Sequence, residues 1–156
     1  MYDTLNNGRL LYNHFNNIYV NYPTGLNSKT SITCVVNGVY KNINVRLVKP
    51  GRMVKTLNGD KKVLRVIETA VSHQIYNLGK TYVYAHTGIL VKTPPNNSIC
   101  YGKINDEYII TAGPITTRYN NAQQNIMYNF VFDTTDEFTC YYSNGIPVIT
   151  PIIGVQ

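Results

Sequence analysis

Five short polar pairs constrain this chain more than anything else in it. Asn37-Gly38, Asn58-Gly59, Gly79-Lys80, Asn105-Asp106 and Asn144-Gly145 each separate two runs of β-branched and aromatic residues. Asn, Asp and Gly tolerate the positive φ of a tight turn, so pairs of this kind mark the corners of β-hairpins. Ser31 to Val36 and Val39 to Val48 form the first two strand-like runs. In the second, Ile43, Val45 and Leu47 alternate with Asn42, Asn44 and Arg46, the period-two pattern of a half-buried strand. Pro50-Gly51 breaks that run, and Met53 to Leu57 and Lys62 to Glu68 flank the next corner.

Further along, Gln74 to Leu78 pairs with Thr81 to Val91, and Ile99 to Lys103 with Glu107 to Thr111. Ile126 to Phe132, Phe138 to Tyr142 and Ile146 to Ile149 complete the strands. Thr93 to Ser98, with its Pro94-Pro95 step, reads as a loop, and Asn120 to Asn125 as a loop or one helical turn. The spacing predicts an all-β chain: a compact domain of repeated hairpins, arranged as a horseshoe or small barrel. Leu5, Leu10, Leu11, Phe15 and Ile18 fit a helical face only loosely. Residues 1–25 are therefore expected to be a short N-terminal helix or an arm, and residues 26–156 a single β domain.

Composition agrees. Tyr, Thr, Val and Ile favour strands, and the chain has 14 Tyr and no Trp. Charged residues are only 14% of it, yet the formal charge is +6. Much of that excess lies in one stretch, Lys41, Arg46, Lys49, Arg52, Lys55, Lys61, Lys62 and Arg65, opposed there only by Asp60. Such a stretch is a candidate interaction patch for phosphate backbones or anionic surfaces, and the plainer alternative is a solvated face of two hairpins.

Chemistry-bearing motifs are sparse. Cys34, Cys100 and Cys140 are odd in number and far apart, which argues against a disulfide framework. His14, His73 and His86 have no metal-ligand spacing with cysteines or acids, although His73 and His86 can meet across neighbouring strands. Asp106-Glu107 and Asp136-Glu137 sit at turns, where polar residues are expected anyway. Neither a Walker loop nor a GxGxxG motif occurs, so no catalytic, cofactor or metal residue is assigned. The polar start, with Asp3, Asn6 and Asn7, does not read as a signal peptide, and no apolar run is long enough for a membrane span. The expected location is intracellular, in a host cytoplasm or a virion, and Asn96-Asn97-Ser98 carries little weight as a glycosylation site.

Read together, these runs resemble the Hint superfamily, the β fold of inteins and hedgehog autoprocessing domains. The resemblance rests on Thr33-Cys34-Val35-Val36-Asn37-Gly38 and on Val45 to Thr56 with its Lys49-Pro50-Gly51-Arg52 step, where the family usually has aspartate in place of Arg52. It continues through Asn58-Gly59 and Lys61 to Ile67, then Tyr128 to Phe132 and Tyr141 to Val148. It implies a self-processing site built from a Cys or Ser nucleophile, a Thr-x-x-His pair and a terminal Asn. The nucleophile position falls near Gly25 or Leu26, with neither thiol nor hydroxyl. The Thr-x-x-His place holds Thr111-Ala112-Gly113-Pro114, and Thr150-Pro151 follows the last strand.

The resulting expectation is a Hint-like β domain without its catalytic set. Its role is that of a non-enzymatic structural or interaction module among other protein subunits, such as a capsid-associated subunit of a virus particle. A nucleic-acid-binding β domain using residues 41–65 with Tyr40 is the second reading. A degenerate self-processing domain using Cys34 or Ser28 is the third. Tyrosines such as Tyr82 and Tyr84 on one strand face, and Tyr141 and Tyr142 on opposite faces, suit base stacking, protein interfaces or plain cross-strand packing.

Overall fold

The structure, a computed structural model, describes residues 24–96, 100–112, 117–119, 125–136 and 139–150. Its strands are β1 (Leu26–Asn27), β2 (Ser31–Val36), β3 (Val39–Asn44), β4 (Met53–Thr56), β5 (Gly59–Val71), β6 (Ile75–Leu78) and β7 (Thr81–Tyr84). They continue as β8 (Gly88–Val91), β9 (Gly102–Ile104), β10 (Glu107–Thr111), β11 (Thr117–Tyr119), β12 (Asn125–Phe132), β13 (Thr139–Ser143) and β14 (Ile146–Thr150). The chain is all-β among the described residues. Four of the five hairpin corners fall where the turn pairs put them; at the other, Thr56 pairs with Gly59, so Leu57 and Asn58 form the turn and Gly59 opens β5. Asn37 and Gly38, Asn105 and Asp106, and Asn144 and Gly145 all have positive φ at both central positions, as a type I′ turn requires.

Hydrogen-bonded neighbours run in the order β11-β6-β7-β1-β12-β5-β4-β13-β14-β8-β10-β9, with β2 joined to β4 and β3 to β2. The 13-residue β5 holds this order together. Its first residues pair with β4, Val54 opposite Lys61, and its later ones with β12, Phe130 opposite Val66. Between them Phe132 faces Val63 while Val131 faces Arg65, so Leu64 is an extra residue, a β-bulge. A bulge bends and twists a strand, which lets one strand serve two differently oriented ladders. The main core draws on both: Leu26, Val83 and Phe130 from one ladder pack with Cys34, Val54 and Tyr141 from the other. At its centre the Tyr141 ring meets Phe130 edge-on, with centroids 5.8 Å apart and planes at 81°.

Three further local expectations differ. The run Val39 to Val48 does not continue as one strand. It ends at Asn44, whose side chain accepts a hydrogen bond from the Arg46 N–H and caps a 3₁₀ turn over Val45–Leu47. Val45 and Val48 are buried, but Leu47 between them is 65% exposed, so the period-two pattern that placed it inward fails. The run Thr81 to Val91 divides into β7 and β8 at a turn closed by the Thr87 N–H on the Tyr84 carbonyl, at 3.0 Å. The strand β11 has no counterpart in the turn pattern, being only three residues long. The arm or helix expected before residue 24 and the polar run 120–124 lie outside the described residues.

Candidate functional site

Two places bear on function: the segment around Gly25, and the outward face of β2 to β5. At the first, Gly25 has φ +129°, and a Cβ there would lie 2.7 Å from the Tyr128 carbonyl and 2.8 Å from the Asn129 amide. A cysteine or serine cannot stand at this position without displacing backbone. Thr87 clasps the same residue. Its hydroxyl accepts from the Gly25 N–H at 2.9 Å and donates to the Gly25 carbonyl at 2.9 Å. Asn129 donates to the Thr24 carbonyl, and Asn27 to the Tyr84 hydroxyl, both buried. Leu26 is fully buried between Tyr128 and Val83. These side chains fasten Thr24 to Asn27 by buried polar contacts.

Thr87 and Asn129 carry no motif in the sequence. Only their pairing with Gly25, 62 residues away for Thr87, makes sense of them. Thr111 ends β10 beside the buried Ala112, while Gly113 and Pro114 lie outside the described residues. His73 precedes β6 and His86 lies in the turn from Tyr84 to Thr87, so the ladder between β6 and β7 does not extend to them. No group of three metal-binding side chains occurs among the described residues. Cys34 and Cys140 are buried, and burial pushes their thiols up to about 11 and about 12. Thiolate, the nucleophilic form, is disfavoured at both.

The second place gathers part of the basic stretch. Cross-strand partners share a face, so the pairs Val35 with Tyr40, Met53 with Lys62 and Lys55 with Asp60 define the outward side, opposite the buried Cys34 and Val54. The Lys55 ammonium sits 5.0 Å from the Tyr40 ring centroid and 5.1 Å from that of Tyr142. The Tyr40 hydroxyl donates to Asp60 at 2.8 Å, which holds the phenol in its neutral form.

Beside this cluster Lys49 to Arg52 form a turn closed by the Arg52 N–H on the Lys49 carbonyl. Pro50 and Gly51, with φ +96° at Gly51, are the central residues that a type II turn prefers. The Gly51 N–H and the Arg52 carbonyl both bond to the Val63 backbone, so the turn is pinned to β5. A groove of about 450 Å³ opens here, with Val35, Leu47, Pro50 and Met53 as its apolar lining and Lys49 and Arg52 at its basic rim.

The eight cations therefore do not form one patch. Lys49, Arg52, Lys55 and Lys62 share the outward side. Lys41 and Lys61 stand in register with the inward-facing Cys34 and Val54, at the flanks of β2 and β4. Arg65 lies beyond the bulge, opposite Val131. Arg46 is near Tyr128: burial and a hydrogen bond with Glu68 raise that phenol, and Arg46 opposes them.

No protein-family model matches the chain, and no curated protein does. Among solved structures, the chain is similar to the crystal structure of gp41-1 intein, at 15% identity and a TM-score of 0.45, covering 80% of this chain and 96% of that one.

Proposed function

We propose that this chain is a non-enzymatic interaction module, a structural subunit of a larger assembly such as a virus particle. The observation that supports it best is the outward face of β2 to β5. Tyr40, Leu47 and Met53 are exposed there, interleaved with lysines and arginines, on backbone fixed by ladders and a pinned turn. Exposed apolar side chains grouped among polar ones mark surfaces that other molecules cover. The closed position at Gly25 and the buried thiol of Cys34 weigh in the same direction, because a side chain does not fit at the first and thiolate is disfavoured at the second.

Incubating the chain with a strong thiol or with hydroxylamine and reading its intact mass tests this directly. The full-length mass should persist, and a fragment cut before Gly25, Ser28 or Cys34 would overturn the reading. Light scattering after size exclusion, with absorbance at 260 and 280 nm, separates the remaining alternatives. Self-association or capture of a protein partner fits the module. Excess absorbance at 260 nm that is lost in high salt would put nucleic acid in its place, since phosphate contacts weaken steeply with salt.

A further inference from the structure

We infer that the groove between the 3₁₀ turn and β4 is a docking site for an acidic protein segment that carries an aliphatic anchor residue. The inference rests on the module reading and adds the chemistry of the partner. Leu47 is held out from a turn whose flanking residues, Val45 and Val48, are both buried, so its exposure is built into the backbone. Met53 and Val35 continue the apolar lining on neighbouring strands, and Pro50 closes one side. A single apolar side chain from a partner would be covered on several sides at once.

Charge sets the rest of the partner. Lys49 and Arg52 occupy the two corners of a turn pinned by backbone bonds, and Lys62 stands opposite Met53 on β5. The nearby carboxylate, Asp60, already accepts from Tyr40. Basic groups around an apolar floor complement a segment in which Asp or Glu flanks Leu, Ile or Met. Nucleic acid suits the site less well. Bases need open ring faces, whereas the groove lining is aliphatic and the neighbouring rings of Tyr40 and Tyr142 both lie against Lys55.

The test uses the full chain and a displayed library of random peptides long enough to carry an anchor residue with its flanking neighbours. Recovered peptides are measured by fluorescence anisotropy against the native chain, Leu47→Asp and Lys49→Glu, both substituted at exposed positions, with a short oligothymidylate as competitor. Recovered peptides should combine acidic residues with an aliphatic anchor, and each variant should weaken them by about tenfold or more. Failure to recover peptides, recovery without an acidic bias, equal binding by both variants, or stronger binding of the oligothymidylate would each overturn the inference. If the groove fails while the mass stays intact in hydroxylamine, the module reading stands without it. Cleavage in that experiment would remove the module reading itself.

Discussion

Gly25 concentrates what single residues contribute here. Its positive φ and the nearby Tyr128 carbonyl leave no room for a side chain, so a nucleophile at this position would have to displace backbone. Gly25→Ser is expected to destabilise the fold by more than about 2 kcal/mol, through backbone strain and close contact, and to yield no cleavage. Chemical denaturation and intact mass check the two halves of that statement. The sequence showed the absence of thiol and hydroxyl at this point, because residue identity is all that reading requires. It did not show the reason, since the obstructing atoms belong to residues more than a hundred positions away. Leu47 departs from the face that alternation predicts for a related cause. Alternation predicts a face only while the backbone stays extended, and one hydrogen bond from the Arg46 N–H to Asn44 ends that condition.

Among the elements, hairpins were legible and their long-range partners were not. Paired turn residues act locally, so Asn37-Gly38, Asn105-Asp106 and Asn144-Gly145 could be placed from the sequence. The insertion of β1 between β7 and β12, two residues in length, depends on side chains that only meet in the fold. The turn between β7 and β8 is an example with a measurable consequence. Thr87 both donates to and accepts from Gly25, tying this turn to β1. Thr87→Val keeps the shape and removes both bonds, leaving a buried N–H and carbonyl with fewer partners. A loss of about 2–3 kcal/mol is expected in denaturant titration, without change in the far-UV spectrum. The basic stretch was legible as charge but not as a surface. Register divides it, carrying Lys49, Arg52, Lys55 and Lys62 to the outward side and the other four elsewhere.

For the whole molecule, burial of weak acids sets the response to alkali. Cys34 and Cys140 have ordinary values of 9.0 and are raised by burial to about 11 and about 12, and the buried Tyr141 phenol is raised in the same sense. In each case the unfolded chain loses its proton at lower pH than the folded one. Stability from these groups is therefore complete below pH 9.0 and declines as pH rises towards about 11 to 12, where the folded thiols ionise as well. Thermal unfolding followed from neutral pH to that range should show a midpoint that falls only on the alkaline side. Cys34→Ala should make the decline shallower, and a pH-independent midpoint would contradict it. The shared strand β5 gives the molecule its remaining collective property. Because the ladder to β4 and the ladder to β12 run through one continuous backbone joined at Leu64, neither half has a boundary at which it could separate. A force pulling on one half reaches the other through covalent bonds, as in a hinge whose pin belongs to both leaves.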